Sequence, residues 1–187
     1  MISDKHIEDA VSKENLIVQS VIDGLIKPVF VTIQNEQVID YIFEYCKNLL
    51  NYSMNRHGSK EMAYAINLNT LDFVGAEFGT SNSVDISSLI DKMGDSECIF
   101  IVLHNHPSNG PFSPRDLSTF FNIPNLAILM VIGNKGAIYT IEKTDKRVLD
   151  DSFKAIKKIL FQYRRGNLSF EDVVEELGQY GIAYNRV

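Results

Sequence analysis

The stretch that most constrains the fold is "CIFIVL", Cys98–Leu103, an unbroken apolar run of strand length. It leaves no polar face, so it reads as a strand buried on both sides, of the kind found inside a sheet covered by helices. The next residues are opposite in character. "HNHPSNGPFSPRD" packs two histidines, three prolines, two serines and an aspartate into the residues from His104 to Asp116. A rigid buried strand aims residues from its C-terminal end, which is where α/β proteins favour their sites.

The rest of the pattern supplies partners for that strand. Val38, Ile42, Cys46 and Leu49 recur at helical spacing up to His57-Gly58, a C-terminal stop. "EMAYAINL" and "DFVGAEF" flank Asn69-Thr70-Leu71 as a β-hairpin, and "VDISSLIDKMG" reads as a helix ending at Gly94. "LAILMVIG" and "GAIYTIE" form a second hairpin around Asn134-Lys135. Helices over "DSFKAIKKILFQYRRG" and "SFEDVVEELGQYG" close the chain, the last opened by Ser169-x-x-Asp172. Residues 5–26 are expected to be one or two amphipathic helices, with Ile7, Ala10, Val11, Leu16, Val18, Ile22 and Leu25 as apolar members, and "PVFVTI" (Pro28–Ile33) a short strand. The fold class is therefore α/β (α+β): a mixed sheet flanked by helices, with an N-terminal helical extension and C-terminal helices.

Composition narrows the function. A chain of 187 residues suits one domain, and a net charge of −6 argues against a nonspecific nucleic-acid binder. Lys154, Lys157, Lys158, Arg164 and Arg165 form at most a small basic patch. No apolar run approaches the roughly 18 residues of a membrane span, and the polar "MISDKHIEDAVSKENL" is no secretory signal. Cys46 and Cys98 are isolated, read as buried thiols, and fit a reducing cytosol. The cytoplasm is the expected compartment.

His104 and His106 are one residue apart, so on a strand both imidazoles face the same way and can begin a zinc site. Asp116 is the third candidate ligand. It also has a plain explanation, because Ser113-Pro114-Arg115-Asp116 is a good helix start, with serine as N-cap, proline at N1 and aspartate at N3. The two roles are compatible. Three protein ligands would leave a position for water, the pattern of a catalytic site, and zinc lowers the pKa of bound water to about 7. A general base is then needed: Glu61, Glu77 and Glu97 are candidates, with Asp72 and Asp85 behind them. Glu61 stands out because it sits where a helix gives way to a strand.

An upstream glutamate, His-x-His-Pro closing a buried strand and Ser-x-x-Asp opening a helix together resemble the JAMM (MPN+/JAB-domain) metalloproteases, over roughly Val38–Lys143. "HNHPSNGPFSPRD" is especially similar to the bacterial RadC-like and phage-associated JAB branch. The resemblance implies an MPN/JAB-like catalytic domain over 38–187, including the helical tail, preceded by the extension 1–37. It makes His104, His106 and Asp116 the Zn2+ ligands, Glu61 the base that deprotonates the zinc water, and Ser113 a hydroxyl that stabilises the oxyanion. The loop Pro107–Phe112 is one residue shorter than is usual in the family. Gly110 is expected to supply the left-handed position of this tighter turn.

The function so implied is zinc-dependent hydrolysis of a peptide or isopeptide bond, with a peptide, isopeptide or ubiquitin-like conjugate as substrate. Two alternatives stand beside it: a JAB-like scaffold that binds a partner without catalysis, and a RadC-like role in DNA metabolism or mobile elements. HNH nucleases spread their motif over a ββα unit, and zinc deaminases need Pro-Cys-x-x-Cys, so neither fits. The extension is open to three roles (partner recognition, covering the site, homodimerisation), and simple packing against the sheet is the plain reading.

Overall fold

The structure, a computed structural model, describes residues 9–94 and 97–187. Its centre is a mixed sheet of six strands: β1 (Met62–Asn67), β2 (Phe73–Phe78), β3 (Phe100–His106), β4 (Leu126–Gly133), β5 (Ile138–Lys143) and β6 (Ile182–Arg186). The spatial order is β2-β1-β3-β4-β5-β6, and every neighbouring pair is antiparallel except β3 and β4. The apolar run does form an interior strand, and all of β3 is buried, both histidines included.

Alternation along the strands builds two cores. Ile101, Leu103, Met130 and Ile132 point to one face, under α2 (Glu36–Arg56). Asn35 caps that helix by accepting from Gln37 N, and Ile39, Ile42, Cys46, Leu49 and Leu50 form its buried stripe. Val102, Leu129, Val131 and Ile141 point to the other face. There they meet α3 (Ser87–Met93), α4 (Pro114–Asn122), α5 (Lys146–Arg164) and α6 (Phe170–Gly178) through Leu89, Leu117, Ile156 and Val173.

Three expectations need correction. Within residues 9–26 there is no continuous amphipathic helix, only a 3-10 turn at Lys13–Asn15 and the short α1 (Gln19–Asp23); Ile7 lies outside the described residues. Tertiary bonds take the backbone that a helix would use: Asn15 O accepts from Asn134 Nδ2, and Ile17 N donates to Ser59 Oγ. Pro28–Ile33 is not a strand. Its side chains do alternate, with Phe30 buried between exposed Val29 and Val31. Its amides, however, find a carboxylate instead of a ladder: Val31 N and Thr32 N donate to Glu142 at 2.8 and 2.9 Å. Finally, the chain ends in strand β6, paired with β5, where helices alone were expected.

The segment before α2 is packed onto the sheet, with Ile17, Ile22 and Phe30 buried in the α2-side core. Among the described residues no helix is long and apolar enough to cross a membrane. Both cysteines are free; Cys46 is fully buried, which pushes its thiol pKa up, and Cys98 is half-buried.

Candidate metal centre

β3 runs straight through His104 and His106, so the period of two sends both imidazoles to the α3–α6 face. α4 begins beneath them. Ser113 Oγ accepts from Asp116 N at 3.2 Å and Asp116 Oδ2 accepts from Ser113 N at 2.7 Å, a complete capping box. The expected capping role of Asp116 is therefore real, and it also turns the carboxylate toward the histidines. Asp116 Oδ1 lies 3.5 Å from His104 Nε2, and Oδ2 lies 3.5 Å from His106 Nε2. The two Nε2 atoms are 3.0 Å apart.

These separations match what zinc needs. Ligands at about 2.0–2.1 Å in a tetrahedron are about 3.3 Å from one another. Tautomers also agree, because His106 Nδ1 lies 3.2 Å from the Gly110 carbonyl. A carbonyl only accepts, so the proton sits on Nδ1 and the Nε2 lone pair is left for a metal. His104, His106 and Asp116 form a group able to hold a metal ion, with donor atoms all within 4.8 Å of one another. By chemistry and geometry the donor set fits zinc.

Electrostatics tie the group together. Burial works against a charged His106, but Asp116, Glu61 and the Gly110 carbonyl outweigh it and raise its pKa above 6.5. Burial would raise the Asp116 pKa, and the two histidines overcome that and hold it well below the usual carboxylate range. Glu61 precedes β1, where Ala63 pairs with His104; continuing that register sets Glu61 beside His106 on the same face. It is 7% exposed, and burial raises its pKa against the pull of His106 and His104.

A cleft of about 460 Å3 opens onto this group and is lined by Glu61, His106, Ser113 and Asp116. The Ser113 hydroxyl accepts the Asp116 amide, and its own proton is uncommitted among the described residues. Ala10, Val11 and Asn15 form the opposite wall. They are held there because Asp9 accepts from Lys60 Nζ at 2.5 Å and from Ser81 N at 3.0 Å.

Of the other candidate bases, Asp85 lines a smaller hollow with His104 and Asp116, and all four are exposed or already bonded. Glu77 is half-buried and accepts from Ser88, Glu97 and Asp72 are exposed, and Asp85 is occupied by Ser87. The short loop also differs from expectation: the left-handed residue is Asn109, at φ 57, and not Gly110. Asparagine tolerates that region when its side chain bonds locally. Here Asn109 Oδ1 accepts from Lys135 N, and a side chain at Gly133 would collide with Asn109. Tyr139 Oη and Tyr163 Oη donate to the carbonyls of Asn109 and Phe112, so the tighter turn is held at both ends.

One residue escaped the sequence reading. Asn105, the middle residue of His-Asn-His, points to the α2 side and is fully buried. Its Oδ1 accepts from Met62 N at 2.9 Å, while its Nδ2 donates to Lys60 O at 3.1 Å and to Asn134 Oδ1 at 2.8 Å. It thus grips the backbone on both sides of Glu61. The signal was available: a polar side chain inside a strand buried on both faces must be bonded to something.

Compared with protein-family models, curated proteins and solved structures, the chain matches none of them.

Proposed function

We propose that the protein is a zinc-dependent hydrolase of peptide or isopeptide bonds, of the JAMM kind, working in the cytoplasm. The observation that carries this reading is the convergence of His104, His106 and Asp116, with His106 and Asp116 lining a cleft that Glu61 and Ser113 also line. Zinc held by the three side chains would act as a Lewis acid and bring the pKa of a water near neutrality.

The remaining chemistry belongs to the chain. Glu61 takes a proton from the attacking water and returns it to the departing nitrogen; burial raises its pKa, which makes it a stronger proton acceptor than an exposed carboxylate. Ser113 offers its free O–H to the oxygen that becomes negative as the carbonyl is attacked, a contact whose loss typically costs about 2.7–4 kcal/mol in comparable sites. Asp116, fixed by the capping box, and His106, fixed through Nδ1, need little reorganisation to hold the metal.

Zinc content of tag-free protein, read by elemental mass spectrometry beside His106→Ala, tests the centre. About one zinc per chain, lost in the variant, is expected. Glu61→Gln should keep the zinc and abolish hydrolysis of an isopeptide-linked or peptide substrate. Absence of zinc after supplying the metal would leave a JAB-like scaffold and refute the enzyme.

A further inference from the structure

A second hollow, of about 710 Å3, runs between α4 and α5. Phe121 and Leu160 line it, while Phe153 and Phe161 stand 37% and 53% exposed. On α5, Phe153, Lys157, Phe161 and Arg164 fall at i, i+4, i+8 and i+11, one helix face beside the core stripe of Ile156 and Ile159. Arg115 on α4 supplies a third cation. None of the described lining residues is a carboxylate, and among the described residues Arg115, Lys157 and Arg164 form no salt bridge. Lys157 lies 4.3 Å over the Phe153 ring instead. On a chain of net charge −6 this strip stands apart from the rest of the composition.

The groove adjoins the cleft over the candidate metal centre: Ser113 and Arg115 line both hollows. We propose that it docks a polypeptide segment of the substrate that carries carboxylates among apolar side chains. The exposed rings take the apolar residues and the three cations take the carboxylates. The identity of the bond cut rests on the hydrolase reading; the docking itself does not. A nucleic acid is the weaker fit, since its binding draws on a basic face that tracks many phosphates, and here the cations are few and alternate with apolar rings.

The test is fluorescence anisotropy on the full chain carrying Glu61→Gln, titrated with a labelled peptide of alternating leucine and glutamate. Binding is expected, weakened by added salt, and at least about tenfold weaker in the double variant Lys157→Glu, Arg164→Glu. Phe161→Ser should weaken it as well. All three substituted positions are exposed, and unchanged thermal unfolding would show that the fold survives. The proposal is overturned if the peptide does not bind, if a leucine–lysine peptide binds equally, or if charge reversal changes nothing. Tighter binding of a labelled single-stranded oligonucleotide would overturn it in favour of nucleic acid. A concentration-dependent dimer lost in Phe161→Ser would overturn it in favour of a second copy of this chain. No turnover is measured, so failure of the hydrolase reading registers separately, in zinc content and cleavage.

Discussion

At Asp116 a helix start and a candidate metal centre share one carboxylate, and the sharing gives the site its pH behaviour. With no metal bound, the folded pKa of His106 lies above its ordinary 6.5. Its stabilising contribution is full below the unfolded value and is lost as pH rises through the folded one. Asp116, depressed, stays charged across that window. Zinc must displace the His106 proton, so zinc affinity should fall as pH drops through the raised His106 value. Calorimetry in two buffers of different ionisation enthalpy, just below that value, should detect proton release on zinc binding; none would contradict the Nε2 ligand. Asn105 offers a separate test. Asn105→Ala strands Met62 N and Asn134 Oδ1 in the interior, at about 1–3 kcal/mol for each unsatisfied group, while Lys60 O keeps its bond from Ser53 Oγ. It should keep the zinc while slowing hydrolysis through kcat. Asn105→Asp retains the acceptor for Met62 N but sets a buried carboxylate against Asn134 Oδ1 and Lys60 O, and should cost at least as much.

Among the elements, the loop from His106 to α4 is where a single methyl group should matter most. Gly133→Ala would force Asn109 out of its left-handed turn and release the Gly110 carbonyl from His106. The expected result is a folded protein with weakened zinc binding, read by competition with a chelator. By contrast, Ser169→Ala removes the cap of α6, which bonds only within that helix's first turn, and should cost about 1 kcal/mol in urea unfolding without altering zinc content. The elements themselves were largely legible. β3, both hairpins, α2 and the capping boxes show in the period of apolar residues and in local helix-start chemistry. Those signals lie within a few residues of what they govern. Pro28–Ile33 has the right alternation for a strand, but whether it finds a ladder depends on Glu142, far along the chain. Asn109 was hidden by the habit of assigning left-handed turns to glycine. β6 is a short edge strand after Gly181, at φ 71, and carries too little periodicity to announce itself.

For the molecule as a whole, two cores share one sheet, and the candidate metal centre sits at the end of the strand buried by both. Leu49, fully buried on the inner face of α2, lies in the core opposite the site. Leu49→Ala should cost about 2–5 kcal/mol of stability and leave zinc stoichiometry unchanged in the folded fraction. His104, His106 and Asp116 were legible because their spacing combines a strand period with a helix cap. The place of Glu61 beside the histidines was expected only from the resemblance and from its position at a strand start. What singles it out among several acids is burial beside His106, which no local pattern encodes.

The clamp of Glu142 on Val31 and Thr32 also sets an order of events. Asn134 and Glu142 hold backbone at separations of 119 and 111 residues, so a segment synthesised early is among the last to be seated. Until β4 and β5 have been made, Ile17, Ile22 and Phe30 have no finished face to cover. Since residues 10–15 also wall the cleft, a nascent chain assembles its ligands before it closes the room around them.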